Sequence, residues 1–393
     1  FFRGPIRRGE LTLVAECTPE QLRRLEDDAP SFAAAFARVD VAPTAPDETL
    51  RVLLSEARAL EASHQVSVDP LALREVLELG AAVFPSAALP GRAVELLREL
   101  VRASGPRAQL HAEDVLRLIS RRTGLPRVML DSGQALDPEA LRAIFARQVS
   151  GQPVAVDAVV DLLVRIKAGL VDGDRPFAVY LFTGPTGTGK TELASCLASY
   201  LYASSSRLVR LDMGEYSGAD AVPRLIGDRW NPVGVLTRQL QAQPFSVVLL
   251  DEIEKAHPSV LNLLLQVFDE GRLTDAAGTP ADFRRTVIVM TSNLGARARA
   301  TIGFGEDAAS AARDVARAVR EHFPPELFNR IDRVVPFAPL GPDTARAIAV
   351  KELAQLVTRR GLTERRIFVD VADPVVDVVV REAFDPRDGA RPV

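Results

Sequence analysis

Between residues 151 and 338, short apolar runs alternate with amphipathic stretches of helical periodicity. The apolar runs predict strands at 177–183, 207–212, 246–251, 286–292 and 333–337. Strands that alternate with helices are typical of a parallel sheet covered by helices. This part of the chain is therefore predicted to be an α/β domain.

The pattern changes on both sides of this domain. Beyond Pro339, a helix at 343–360, a short strand at 367–371 and a helix at 374–383 predict a small appended domain. The first 150 residues predict strands only at 11–15 and 38–42, and are otherwise mostly helical. The helices predicted there lie at 47–63, 70–79, 93–103 and 138–148.

Length and composition indicate a globular protein of more than one domain. The chain has 393 residues, of which 47% are hydrophobic and 25% are charged. A net charge of −4 with interspersed signs gives no basic surface for nucleic acid, and no apolar run approaches the ~20 residues of a membrane span. We therefore expect neither nucleic acid nor a membrane as a partner.

Cysteine usage and the first residues bear on location. Cys17 and Cys196 cannot build a disulfide framework, so we expect a reducing compartment and a cytoplasmic protein. The chain starts Phe-Phe-Arg-Gly-Pro without an initiator Met or a signal-peptide layout, and we expect it to be part of a longer protein.

A glycine-rich loop follows the first predicted strand and precedes a helix. Its pattern is Gly-x-x-x-x-Gly-Lys-Thr, in which backbone N–H groups and a helix N-terminus can surround a polyphosphate. A chance glycine turn is the alternative, but the strand and helix contexts are both present. The predicted ATP-binding residues are Gly184, Pro185, Thr186, Gly187, Thr188, Gly189, Lys190 and Thr191.

Lysine is rare in this chain. Of its 48 basic residues only four are lysine, namely Lys167, Lys190, Lys255 and Lys351. A lysine nevertheless stands in the glycine loop, where a compact mobile charge must reach the outer phosphates.

Polar residues follow two further strands. Asp251 and Glu252 come directly after four apolar residues, so Asp251 and Thr191 could hold Mg²⁺ and Glu252 could polarise the attacking water. An acid pair of this kind could also simply begin a helix. Asn293, at the tip of the strand at 286–292, is an ordinary turn residue or could contact the γ-phosphate or hold the attacking water.

Five longer segments stand in order along the second part of the chain. They are Gly-Pro-Thr-Gly-Thr-Gly-Lys-Thr-Glu-Leu-Ala, Leu-Leu-Asp-Glu-Ile-Glu-Lys-Ala-His-Pro, Leu-Leu-Gln-Val-Phe-Asp-Glu-Gly-Arg-Leu-Thr-Asp, Met-Thr-Ser-Asn-Leu-Gly and Phe-Asn-Arg-Ile-Asp. In sequence and in order they resemble the second ATPase module of Clp-type AAA+ proteins, the ClpA, ClpB and ClpC group, and the resemblance covers residues 149–393.

The upstream part resembles the tail of a first module, with Ala33-Ala34-Ala35 where relatives carry paired arginines. The resemblance implies a P-loop AAA+ fold in which a parallel sheet covered by helices carries a small helical lid. The implied domains are 1–45 (remnant of the first module), 46–125 (its helical lid), 126–150 (connector), 151–338 (ATPase domain) and 339–393 (second lid).

Taken on their own, Arg330 and Arg391 would be ordinary surface arginines. The resemblance implies that Arg330 is an arginine finger that reaches a neighbouring subunit, and that Arg391 and Asn293 sense the γ-phosphate. It also implies that the backbone of Val149 and Ser150 cradles adenine, and that six subunits form a ring.

One segment departs from the family. Relatives that thread polypeptide carry a Gly-aromatic-Val-Gly loop, whereas this chain reads Asp228-Arg-Trp-Asn-Pro-Val-Gly234. Trp230 could replace the missing aromatic residue as a substrate contact, or could pack against its own loop. The tripeptide Ile302-Gly-Phe304 weakly resembles a peptidase-docking loop, but the glycines more simply indicate a turn.

The sequence thus predicts a MgATP-hydrolysing ring that remodels polypeptide substrates as a chaperone, unfoldase or disaggregase. The altered loop leaves an alternative, a nucleotide-switched assembly or scaffold ATPase that acts on a specific partner without threading it. A nucleic-acid motor is disfavoured by the charge balance.

Overall fold

The computed structural model describes residues 2–83, 88–131, 133–294 and 317–384. The chain divides into two compact units, Phe1–Ala112 and Glu113–Val393. Among the described residues, no helix combines the length and the apolar composition that crossing a bilayer requires.

The first unit is mostly helical. Its elements are α1 (Arg3–Arg7), α2 (Pro19–Asp28), α3 (Pro30–Ala33), α4 (Pro46–His64), β1 (Ser67–Val68), α5 (Pro70–Val83), α6 (Gly91–Arg102) and β2 (Gln109–Leu110). The apolar residues of α6 recur at helical spacing and are buried where α4, α5 and α6 pack together around Leu53, Leu73, Leu96 and Leu97. β1 and β2 form a short parallel pair.

The strands predicted at 11–15 and 38–42 are wrong. Both segments lack regular secondary structure, and their apolar side chains are exposed, with Val14 at 92% and Val41 at 90%. An apolar, β-branched segment becomes a strand only when a neighbouring strand pairs with its N–H and C=O groups. Neither segment pairs with a strand in the described part of the chain.

The second unit contains the predicted α/β domain. Its helices are α7 (Ala112–Thr123), α8 (Arg127–Leu130), α9 (Pro138–Gln148), α10 (Pro153–Lys167), α11 (Lys190–Tyr202), α12 (Ala221–Ile226), α13 (Val235–Ala242), α14 (Pro258–Glu270), α15 (Pro325–Phe328), α16 (Pro342–Val357), α17 (Arg360–Thr363) and α18 (Asp373–Ala383). Its strands are β3 (Ala178–Thr183), β4 (Leu208–Asp212), β5 (Ser246–Asp251), β6 (Arg272–Thr274), β7 (Pro280–Asp282), β8 (Thr286–Ser292) and β9 (Arg333–Pro336).

Five of these strands form one parallel sheet in the order β4-β5-β8-β3-β9, whereas β6 and β7 form an antiparallel hairpin. All five predicted strands are confirmed, with ends within one residue of the prediction. β3 and β8 are buried along their whole length, as expected for strands covered by helices on both faces. Because the strands are parallel, the carboxyl ends of β3, β5 and β8 meet at one edge of the sheet.

The predicted lid contains α16, α17 and α18. α16 packs against α18, and Arg346 of α16 pairs with Asp373 and Asp377 of α18 at 2.8 and 3.0 Å. The strand predicted at 367–371 is wrong, since the segment is exposed and forms no ladder with another described residue. The predicted helices at 343–360 and 374–383 are present as α16 and α18, the former ending three residues early.

Candidate functional site

The glycine loop lies between β3 and α11, in the setting that the sequence predicts. Gly184 has φ +143° and Gly189 has φ +97°, a region that residues with a side chain rarely adopt. A Cβ atom on Gly184 would also lie 2.5 Å from the backbone oxygen of Phe337. The loop is further fixed by Thr188, whose hydroxyl donates to the oxygen of Pro185 at 2.9 Å.

Lys190 begins α11 and folds back over the loop. Its ammonium group donates to the backbone oxygens of Gly184 and Pro185 at 2.6 and 2.7 Å. The side chain is only 9% exposed, and this burial lowers the pKa of Lys190 to about 8, against the opposing influence of nearby carboxylates, Asp251 foremost. Thr191 follows it in the first turn of the helix and is half-buried.

The acid pair stands at the end of β5, as predicted. Asp251 is the last strand residue, and Glu252 follows in a left-handed backbone conformation with φ +55°. Thr291 on the adjacent strand β8 holds both residues. Its hydroxyl donates to Asp251 Oδ1 at 2.5 Å and accepts from the backbone N–H of Glu252 at 3.0 Å.

Two cations also contact the acid pair. Arg210 of β4 donates to Asp251 Oδ2 at 2.6 Å, and the ammonium of Lys255 lies 2.5 Å from Glu252 Oε2. A 3₁₀ turn, Ile253–Lys255, brings Lys255 back towards Glu252. The ion pair with Glu252 raises the pKa of Lys255.

Asn293 lies beside the loop, as predicted. Its side-chain oxygen accepts from the ammonium of Lys190 at 3.1 Å. Its backbone N–H donates to Glu254 Oε1 at 2.9 Å, so Glu254 fixes the position of the residue after β8. The loop, the acid pair and Asn293 therefore meet at the carboxyl edge of the sheet.

Val149 also adjoins the loop. It is buried directly after α9, and its Cγ1 would lie 3.1 Å from a Cβ atom on Gly189. Ser150 follows it and is half-buried. The structure thus brings this predicted segment to the glycine loop.

Two of the remaining predicted residues, Arg330 and Trp230, do not join this cluster. Arg330, between α15 and β9, pairs through Nε with Asp269 of α14 and is about half exposed. Trp230 is 84% exposed, in a turn where Asp228 Oδ1 accepts the backbone N–H groups of Trp230 and Asn231 at 2.7 and 2.6 Å. Arg391 and the tripeptide Ile302-Gly-Phe304 lie outside the described residues.

Several contact residues were missed from the sequence, namely Gln152, Arg210, Glu254, Lys255 and Thr291. For Thr291 a signal exists, because the parallel pairing of Leu250 with Met290 places the next residues, Asp251 and Thr291, side by side. Arg210 lies on β4 and reaches Asp251 on the neighbouring strand, whereas the contacts of Gln152, Glu254 and Lys255 depend on side-chain direction in turns and at a helix start, which periodicity does not encode.

No group of three or more His, Cys, Asp or Glu side chains in the described part of the chain could hold a metal by itself. Thr191 and Asp251 offer hard oxygen donors, which suit Mg²⁺ when phosphate oxygens and waters complete its coordination. The donor set therefore fits a magnesium ion that is bound together with a nucleotide.

Two protein-family models match the second unit. Residues 175–334 match the AAA domain (Cdc48 subfamily), and residues 340–393 match the C-terminal, D2-small domain of ClpB protein. The match to an AAA domain and a small domain agrees with the α/β sheet and the helices α16 to α18.

Curated relatives include the chaperone protein ClpB of Bacillus cereus, 42% identical over 295 residues, which is 73% of this chain and 34% of the relative. Chaperone protein ClpB 2 of Parasynechococcus marenigrum is 41% identical over 362 residues, 88% of this chain and 38% of the relative. The chain thus spans about a third of the length of these relatives.

Solved structures of similar fold include Hsp104 in a closed state with ATPγS and FITC casein, and the Saccharomyces cerevisiae Hsp104–ADP complex. Their TM-scores are 0.81 and 0.79 at 28% and 29% identity, and each match covers 100% of this chain and 69% of the other. The family models, the relatives and these structures agree with the motifs at the sheet edge. The chain therefore belongs to the Clp-type AAA+ ATPases and contains the second ATPase module of that family.

Proposed function

We propose that the second unit binds MgATP at the glycine loop and hydrolyses it, and that the whole protein uses this hydrolysis to remodel polypeptides as a Clp-type chaperone, unfoldase or disaggregase. One observation carries the proposal. The ammonium of Lys190, the amide of Asn293 and the acid pair Asp251 and Glu252 converge on one loop.

Each residue has a distinct role in the proposed reaction. The amides of 184–190 and the N-terminus of α11 hold the phosphates, while Lys190 supplies positive charge that a bound phosphate would keep protonated. Thr191 and Asp251 would hold Mg²⁺, which would supply positive charge to offset that of the phosphates. The backbone of Val149 and Ser150 receives adenine.

Glu252 accepts a hydrogen bond from water and orients its oxygen towards the γ-phosphorus. The bond to the new oxygen forms as the bond to the β-phosphate oxygen breaks, giving ADP and phosphate. Asn293 and Arg391 contact the γ-phosphate in this proposal. Most of the rate comes from positioned charge, because the protein forms no covalent bond to the transferring group.

Arg330 completes the site of a neighbouring subunit in the proposed ring of six. It is half exposed, and its described ion pair is with Asp269 on the surface of α14 rather than with its own loop. A surface guanidinium held by one exposed carboxylate can exchange that partner at little cost.

The solved Hsp104 structure with casein supports a polypeptide as the substrate class. The comparisons do not favour the alternative of a scaffold that switches with nucleotide. Trp230 is the proposed substrate contact, since its ring is exposed to solvent. We further propose a cytoplasmic location and the domain limits 1–45, 46–125, 126–150, 151–338 and 339–393.

The substitution Glu252→Gln tests the proposed chemistry. Nucleotide affinity should be unchanged, while ATP turnover should fall at least about a hundredfold, the usual contribution of a positioned base. Calorimetric binding and phosphate release measure the two effects separately. Glu270→Gln, on the exposed end of α14, is the matched control and should leave both unchanged. Undiminished hydrolysis by the Glu252 variant would refute the role of this residue.

A further inference from the structure

The last residue of α9 and the four residues between α9 and α10, together 148–152, form a short segment that we call the junction segment. Val149 of this segment packs against Gly189 of the glycine loop. At its other end stands Gln152, a polar side chain that is only 3% exposed. Such a residue is kept in a protein interior only when its amide group is hydrogen-bonded.

The amide of Gln152 joins two separate stretches of backbone. Its Nε2 donates to the oxygen of Thr188 in the glycine loop at 3.2 Å and to the oxygen of Ala338 at 2.8 Å. Its Oε1 accepts from the N–H of Ala338 at 2.9 Å. Ala338 lies between β9 and α16, on the stretch that leads into the predicted lid.

The residues between β9 and α16 also contact the end of β3, where the glycine loop begins. The N–H of Phe337 donates to the oxygen of Thr183 at 2.7 Å, and the rings of Phe337 and Phe182 lie 5.1 Å apart between centroids. The oxygen of Phe337 lies where a side chain on Gly184 would stand. The loop therefore has little room to shift without moving this stretch.

The junction segment contacts the lid helix as well. Lys351 of α16 donates to the oxygen of Gln148 at 2.8 Å. Gly151 has φ +75°, and a Cβ atom there would lie 2.7 Å from Cγ2 of Thr344, also on α16. Residues 344 and 351 are seven apart, so one face of α16 rests on the junction segment.

We propose that Gln152 is a positioning residue that transmits occupancy of the glycine loop to the stretch leading into the lid. This inference rests on the proposed nucleotide binding. When phosphates bind, the glycine loop moves and the backbone oxygen of Thr188 moves with the loop. Because an unpaired buried carbonyl or N–H is costly, the amide of Gln152 moves too and carries Ala338 along.

Hydrogen exchange of the full chain with and without ADP tests the inference. In the wild-type chain, ADP should protect peptides from the loop, from residues 336–341 and from α16. Gln152→Met fills the same space without polar atoms. We expect this variant, at saturating ADP, to retain protection of the loop and to lose protection of 336–341 and α16.

The control is Thr286→Val, which removes a buried hydroxyl that donates to the oxygen of Phe283 at 2.8 Å, at the opposite end of the sheet. At saturating ADP the Thr286→Val variant should retain protection of the loop and protection of 336–341 and α16. Should the Met variant fail to fold, Gln152→Glu keeps the acceptor for the N–H of Ala338 and lacks, when ionised, the donor for the oxygens of Thr188 and Ala338. It should show the same selective loss.

The outcomes separate the two proposals. Loss of lid protection with retained loop protection supports the coupling role of Gln152, because general destabilisation would weaken both. Protection of 336–341 at wild-type level in the variant at saturating ADP overturns it, whichever variant is used. A wild-type chain that takes up no ADP overturns the proposed function instead.

Discussion

Thr291 shows how much of the site depends on one hydroxyl group. It bonds to the carboxylate of Asp251 and to the backbone of Glu252, so it fixes both acids relative to the sheet. The left-handed backbone of Glu252, with φ +55°, is uncommon for a residue with a side chain and needs such support. The direction of the Glu252 carboxylate therefore follows from β8 as much as from β5.

Thr291→Val should lower ATP turnover about tenfold or more, because each lost hydrogen bond to a buried group costs about 1–3 kcal/mol. The methyl group keeps the shape, so we expect nucleotide affinity to change much less than turnover. Steady-state phosphate release and ADP calorimetry give the comparison.

The control for Thr291 is Thr183→Val at the end of β3. The hydroxyl of Thr183 is buried and has no hydrogen-bond partner among the described residues, so removing it should leave turnover unchanged. Equal losses in the two variants would contradict the orienting role of Thr291.

At the level of single residues, the sequence predicted which groups stand at strand ends. Asp251, Glu252 and Asn293 were identifiable because they follow apolar runs, and Lys190 because it closes the glycine-rich pattern between a strand and a helix. Gln152 was not, because its role depends on two backbone oxygens that are 150 residues apart in the chain, Thr188 and Ala338.

At the level of elements, strand predictions were correct for segments that are buried in the sheet and wrong for segments that are exposed. The five strands of the parallel sheet were predicted to within one residue because continuous apolar runs are required where both faces are covered. The three wrong strands, at 11–15, 38–42 and 367–371, have the same residue types but pair with no other strand in the described part of the chain. A single sequence reports the preference of a segment and not the presence of its partner.

The four lysines of the chain all stand where a compact cation is needed. The ammonium group of each contacts backbone oxygens or a carboxylate, and this contact fixes a turn or the end of a helix. Lys167, at the end of α10, donates to the oxygens of Val128 and Asp131, and Lys351 to that of Gln148. A compact cation suits such convergent carbonyls better than a planar guanidinium does.

For the whole molecule, the proposed ring makes a prediction about mixed subunits. Arg330→Ala and Lys190→Ala should each abolish turnover, the first without loss of nucleotide binding. Rings assembled at random from the two variants should recover about a quarter of the wild-type rate. In such rings about a quarter of the interfaces place the intact loop of an Arg330 variant against the intact arginine of a Lys190 variant. Phosphate release by the mixture measures this. Arg330 would be excluded as a trans-acting residue if its single variant turned over ATP normally.

Trp230 can be tested in the assembled protein as well. Trp230→Ala should leave the melting temperature and ATP turnover unchanged, because its ring is 84% exposed and surface changes cost little. Unfolding of a tagged model substrate should decrease strongly if the ring contacts polypeptide. Leu170→Ala, at 73% exposure, is the control and should unfold the substrate normally. Equal unfolding by both variants would remove Trp230 from the substrate path.

β3 has a connection at each end. Its carboxyl end continues into the glycine loop, while near its amino end Val179 exchanges two hydrogen bonds with Asp332, at 2.7 and 2.9 Å, two residues beyond Arg330. A six-residue strand measures about 15–20 Å and resists bending within a sheet. β3 thus connects the glycine loop to Asp332, two residues from the arginine that we propose to act on a neighbouring subunit. Because the strand resists bending, we expect a displacement at one of its ends to be transmitted to the other.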